Sequence, residues 1–190
     1  MNVDFLKDVA LAVAQEQHVE TVMKMIVEGI NEEPDVALVR LWILESEDNS
    51  AECHPGGPNQ TRCLHLVASA GHPLNEHEDW SRLNGAFGRV PLGVGKIGLI
   101  GQSGESILIP DISVDQRWVV RPEWVKQEAT RSFAGHPLKF RKEILGVLGV
   151  FSRAQLTENE FGWLRTFRKE LSNVFKQGYR KSAPESRPRS

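Results

Sequence analysis

The stretch Gly93-Val-Gly-Lys-Ile-Gly98-Leu-Ile-Gly101-Gln-Ser-Gly104-Glu-Ser-Ile-Leu-Ile-Pro-Asp111 decides how the chain is read. Its first six residues match the alternating glycines of a dinucleotide-binding turn. That turn works only after a strand, opening a helix within a βαβ unit. The flanking sequence shows no βαβ alternation, so the glycines at 93, 95, 98, 101 and 104 are read as tight backbone turns. The stretch closes with an apolar strand, 106–109, stopped by Pro110.

Upstream, residues 36–44 are β-branched and apolar except for Arg40, which reads as a central strand. Residues 63–70, Cys-Leu-His-Leu-Val-Ala-Ser-Ala, form its expected antiparallel neighbour, across a long polar loop from 45 to 62 holding Pro55-Gly-Gly-Pro58. Residues 89–92 make a short edge strand, because Pro91 cannot serve a central ladder. Downstream, Pro122 suits the first turn of a short helix, 122–128. Residues 131–138 and 144–152 are the last two strands, with Arg141-Lys-Glu143 at the hairpin tip.

Helices bracket this sheet. Asp4 can cap a first helical segment carrying Phe5, Leu6, Val9 and Val13. A second periodic set follows, Val19, Val22, Met23, Met25, Ile26 and Ile30, up to Pro34. At the other end Thr157-Glu-Asn-Glu160 is a capping box, and Phe161, Leu164, Phe167 and Leu171 mark an apolar face. The segments are 1–31 (helical), 32–154 (core), 155–180 (closing helix) and 181–190 (a disordered tail). The expected class is α+β: a six-stranded antiparallel sheet with terminal helices on one face and a loop-rich pocket side on the other.

Composition narrows the function. The 190 residues carry a net charge of −2, with 40% apolar and 25% charged residues, as in a soluble globular protein. No global field attracts nucleic acid or an acidic membrane. No N-terminal signal and no membrane-length apolar run is present, which points to the cytoplasm. Cys53 and Cys63, the two cysteines, are too few for a disulfide scaffold.

Three stretches taken in order resemble the GAF family, over roughly residues 18–178. They are the glycine turn running into the strand that ends at Asp111, then Asp115-Gln-Arg117, then Arg131-Ser-Phe with Pro137-Leu138 and Leu145-Gly-Val-Leu-Gly-Val150. The likeness is greatest to GAF sensor domains of bacterial sensor kinases and enhancer-binding transcription activators, within the profilin-like, PAS-related architecture. It implies a ligand pocket roofed by residues 89–131, with Arg89, Ile97, Asp111, Trp118, Trp124, Arg131, Phe133 and His65 as candidate lining residues. The tryptophans either stack on a planar ligand or plug the roof. The arginines either pair a ligand anion or bond surface carboxylates.

The same resemblance bears on chemistry. In the enzymatic branch, the free methionine-R-sulfoxide reductases, the glycine turn supplies a nucleophilic cysteine; Ile97 stands in the corresponding place here. Phytochrome-like members attach a bilin through a cysteine before the last two strands, and residues 130–138 hold none, so no bilin is expected. Cys53, His54 and Cys63, with His65, are read either as a mixed metal or redox set, though their spacing matches no known zinc module, or as plain loop thiols beside a strand histidine. The resulting expectation is a regulatory small-molecule sensor, not an enzyme. It would form a homodimer through its terminal helices and act on a kinase or transcription-activator output domain in cis or in trans. A ligand-free dimerisation scaffold and a thiol or metal redox sensor are the alternatives.

Overall fold

A computed structural model of the chain describes residues 19–44, 62–75, 77–85, 87–113, 122–140, 142–162 and 164. The elements are α1 (Val19–Asn31), β1 (Val36–Leu44), β2 (Cys63–Gly71), β3 (Arg89–Pro91), α2 (Gly95–Ser103), β4 (Ile107–Ile109), α3 (Pro122–Gln127), β5 (Ser132–Phe140) and β6 (Glu143–Ser152). A closing helix follows from residue 158. The helical reading of residues 1–18, the loop 45–61, the closing helix beyond residue 164 with Phe167 and Leu171, and the tail fall outside the described residues.

All six strands join one sheet in the order β3-β2-β1-β6-β5-β4, and each pairing is antiparallel. Pro91 lies in an edge strand, as its missing N–H requires. Pro137 sits in β5, which has neighbours on both sides. β4 reaches only from Phe133 to Gly135 on β5, so Pro137 lies beyond the paired part and breaks no ladder there. Gly146 lets β1 and β6 approach closely, since a Cβ there would run into the Trp42 carbonyl oxygen.

One face of the sheet is helical. Val22, Met23, Ile26, Val27 and Ile30 of α1 pack with Val39 and Leu41 of β1, Leu148 and Val150 of β6, and Phe161 and Leu164 of the closing helix. These α1 residues recur at helical spacing and are all nearly fully buried, which explains why the second periodic set folds as it does. The closing helix starts on a reciprocal capping box. The Thr157 amide donates to Glu160 Oε2 at 2.7 Å, and the Glu160 amide donates to Thr157 Oγ1 at 3.3 Å. A cap of this kind stabilises a helix by about 1 kcal/mol.

The opposite face carries α2, α3 and the irregular segments. Much of the glycine-rich stretch is helix, Gly95–Ser103. Gly104 ends it in the left-handed conformation, φ 68°, with its amide donating to the Ile100 carbonyl. Gly98 must lack a side chain because a Cβ would meet the Pro91 carbonyl oxygen. Ile100 then drops fully buried onto Leu64, Trp42, Phe133 and Val147, forming a second core under the roof.

Candidate functional site: a cavity between sheet and roof

A cavity of about 680 Å³ opens between the sheet and the segments that cross this second face. Its volume falls within the usual range for small-molecule sites. The floor is Leu38, Arg40 and Trp42 of β1, Leu66 of β2, Phe133 of β5 and Phe151 of β6. The roof and rim come from residues within 78–85 and 87–97 and from Glu123, Trp124, Val125 and Gln127.

Alternation along β1 sets the floor. Val39, Leu41 and Ile43 pack toward the helices, so Leu38, Arg40 and Trp42 face the cavity. Trp42 is only 2% exposed, and its indole N–H donates to the Phe87 carbonyl at 2.9 Å. That bond fastens the roof to the sheet. Trp80 donates its own N–H to Glu78 at 2.8 Å. Its ring leans on Trp124 with centroids 5.5 Å apart, Trp124 meets Phe151 edge-on at 5.6 Å, and Phe151 meets Phe133 at 5.0 Å. The rings form one continuous aromatic wall.

Arg40 is the polar exception on the floor, and it is half-buried. Its Nε donates to Ser69 Oγ at 3.3 Å, and Ser69 donates onward to the Trp80 carbonyl. The Phe87 ring lies 5.8 Å from the guanidinium carbon. Burial pushes the Arg40 guanidinium down to about 10, so it stays charged at neutral pH.

The sequence-derived candidates distribute unevenly. Arg89, Ile97, Trp124 and Phe133 line the cavity. His65, Asp111 and Arg131 are not among its lining residues. His65 pairs with Ile43, whose side chain packs toward the helices, and the β1–β2 register shift between Leu41 and Trp42 sets that face. Asp111 and Arg131 form an ion pair at 3.5 Å. The Ser113 hydroxyl and amide hold the Asp111 carboxyl below the usual carboxylate range. Trp118, Cys53 and His54 lie outside the described residues. Cys63 is 1% exposed and disulfide-bonded; Cys53 is the other cysteine of the sequence. Among the described residues no three His, Cys, Asp or Glu side chains converge as a metal site, and no helix is long and apolar enough to cross a membrane.

Sequence reasoning missed Arg40, Trp42, Trp80 and Phe87 as cavity residues. Arg40 carried a legible signal, a lone charge inside an apolar strand. Trp80 and Phe87 carried none, because they lie in a polar stretch without periodicity.

At the other end of the roof, one arginine ties four regions together. Arg153, just past β6, donates from Nε to the Glu128 carbonyl at 3.1 Å and from Nη2 to the His72 carbonyl at 2.6 Å. Nη2 also pairs with the buried Glu128 carboxylate at 3.4 Å, which accepts the Leu74 amide at 2.7 Å. The Arg153 amide donates to the carbonyl of Asp35, in the turn after α1. The end of α3, the segment after β2, the exit of α1 and the approach to the closing helix therefore meet at Arg153.

The GAF domain model matches residues 18–174, and the chain belongs to the GAF domain family. Three solved structures are similar to it. The GAF domain of a phosphoenolpyruvate-protein phosphotransferase from Coxiella burnetii is 22% identical, covers 96% of each chain and superposes with a TM-score of 0.70. Free methionine-R-sulfoxide reductase from Neisseria meningitidis, in complex with its substrate, is 18% identical, covers 93% of this chain and 89% of that one, and gives 0.65. Residues 122–287 of a methyl-accepting chemotaxis protein are 17% identical, cover 93% and 99%, and give 0.66. No curated protein matches the chain.

Proposed function

We propose that this chain is a regulatory, small-molecule-sensing domain of a bacterial signalling protein. It reports ligand occupancy through α1 and the closing helix. The observation that carries the reading is the aromatic-walled cavity, on the sheet face opposite those two helices. Arg153 supplies the link, since it bonds the roof on one side and leads into the closing helix on the other. A ligand acts through such a link only by binding one arrangement of roof and helices better than another. The settings of two structural neighbours, in a phosphotransferase and a chemotaxis protein, support a module that serves a larger regulator. In this reading the terminal helices pair two copies and the output domain lies in cis or in trans, in the cytoplasm. Ile97, in the first turn of α2 where the resemblance to the reductase branch would require a thiol nucleophile, supports a role without catalysis.

Thermal melting against a broad panel of metabolites tests this. A ligand that binds the native state stabilises it by RT ln(1 + [L]/Kd), and at least one compound is expected to raise the melting temperature. A panel that raises it nowhere contradicts the sensor.

The disulfide at Cys63 favours a second reading, a thiol redox sensor. Reduction with dithiothreitol is then expected to shift oligomeric state or melting temperature in the native chain and not in Cys63→Ser. Equal behaviour of both proteins removes this reading.

A further inference from the structure

The cavity floor holds a cation that no carboxylate among the described residues neutralises. Arg40 stands at the middle of β1, opposite Ser69 on β2 and Gly149 on β6. Glu78 and Glu123 line the same cavity, yet no described carboxylate comes within ion-pairing distance of Arg40. A charge drawn partly out of water without a counter-charge is costly. An apolar residue would suit a central strand better at that position. The arrangement makes sense when a bound anion completes it.

The shape of the donor set narrows the anion. Arg40 lines the cavity and its Nε donates to Ser69, which leaves the terminal Nη pair to bind a ligand. An end-on guanidinium fork matches the two oxygens of a carboxylate. The lining as a whole carries Arg40, Arg82, Arg89 and Lys96 against Glu78 and Glu123, a balance that favours an anion. The walls narrow the rest of the molecule. Trp42 and Trp80 are buried and use their indole N–H groups internally, on the Phe87 carbonyl and on Glu78, so they bring no donor, and the ring surface open to the cavity is that of the half-buried Trp124 and Phe151. Ring surface of this kind accepts a flat, apolar body in offset or edge-on contact.

We propose that the cavity takes a small planar aromatic acid, with its carboxylate held end-on by Arg40 and its ring packed on the aromatic wall. This rests on the cavity being the sensory site, and it adds the chemical class of the ligand. Arg40 is then the residue that separates acids from neutral analogues of the same shape.

Isothermal titration of the whole chain tests it, with benzoate, 2-naphthoate and indole-3-carboxylate as probes. The matched carboxamides, 2-oxoglutarate and a cyclic nucleotide serve as comparisons. At least one aromatic acid is expected to bind. Its carboxamide should bind about 10- to 100-fold more weakly, the range for one charge-assisted bidentate pair. Arg40→Met should weaken the acid by the same factor and leave the carboxamide unchanged. Three results overturn the proposal while leaving a sensory cavity standing: acid and carboxamide bind alike, Arg40→Met leaves the acid's affinity intact, or only the non-aromatic or nucleotide ligands bind. If no compound in any class binds at millimolar concentration, the sensory reading falls with it. The comparison of acid with carboxamide on the native chain decides the matter even where Arg40→Met fails to fold.

Discussion

Trp42→Ala is expected to destabilise the fold by about 3–5 kcal/mol, the range for removing a buried tryptophan. Trp42 lies beneath the roof, in the second core with Leu66, Ile100, Phe133 and Val147. The sheet is shaped to receive it: a Cβ at Gly149 would stand 3.1 Å from its ring. Truncation empties that space and also removes the donor to the Phe87 carbonyl, the bond that fastens Phe87 to β1. Trp42→Phe separates the two contributions. It keeps most of the packing and loses the hydrogen bond, worth about 1 kcal/mol. Urea unfolding should therefore rank the native chain above Trp42→Phe and Trp42→Ala last, with similar denaturant slopes. A loss below about 1 kcal/mol for Trp42→Ala would mean that the roof does not pack on the sheet.

Arg153→Met is expected to cost about 3 kcal/mol. Breaking a buried ion pair from one side costs roughly 3–5 kcal/mol, mostly because the remaining charge stays buried. Glu128 fits that case, being 2% exposed. Arg153 is partly open to water, with 21% of its side chain exposed, which places the expectation at the low end. The variant also loses donors to the His72 and Glu128 carbonyls. Arg153→Lys restores a charge but not the branched set of donors, so it should fall between the two. Urea unfolding measures both. Because Arg153 joins roof to closing helix, the Met variant should also uncouple ligand binding from any change in the helices.

Much of the fold was legible because its signals are local. The β1 and β6 strands are apolar runs bounded by turn residues, and the structure places them within a residue or two of the expected limits. Pro91 announced an edge strand and Thr157 a helix start, since each acts through its own backbone geometry. The site was less legible because it depends on register. Whether His65 faced the pocket or the helices turned on one bulge opposite Leu41 and Trp42, which no spacing rule locates. Asp111 and Arg131 looked like ligand contacts one at a time, and the fold pairs them with each other. Arg40 was visible as an exception in β1, but its place at the floor of a cavity follows only once the roof is laid over it.

Hydrogen exchange tests the central claim most directly, comparing the free protein with the protein saturated by whichever compound most raises its melting temperature. Exchange reports local opening segment by segment. Slower exchange is expected in residues 78–97 and 122–127, which roof the cavity. A change is also expected in α1 and at the start of the closing helix, on the far face of the sheet. Protection confined to other segments, with the roof unaltered, would contradict a ligand seated between roof and sheet.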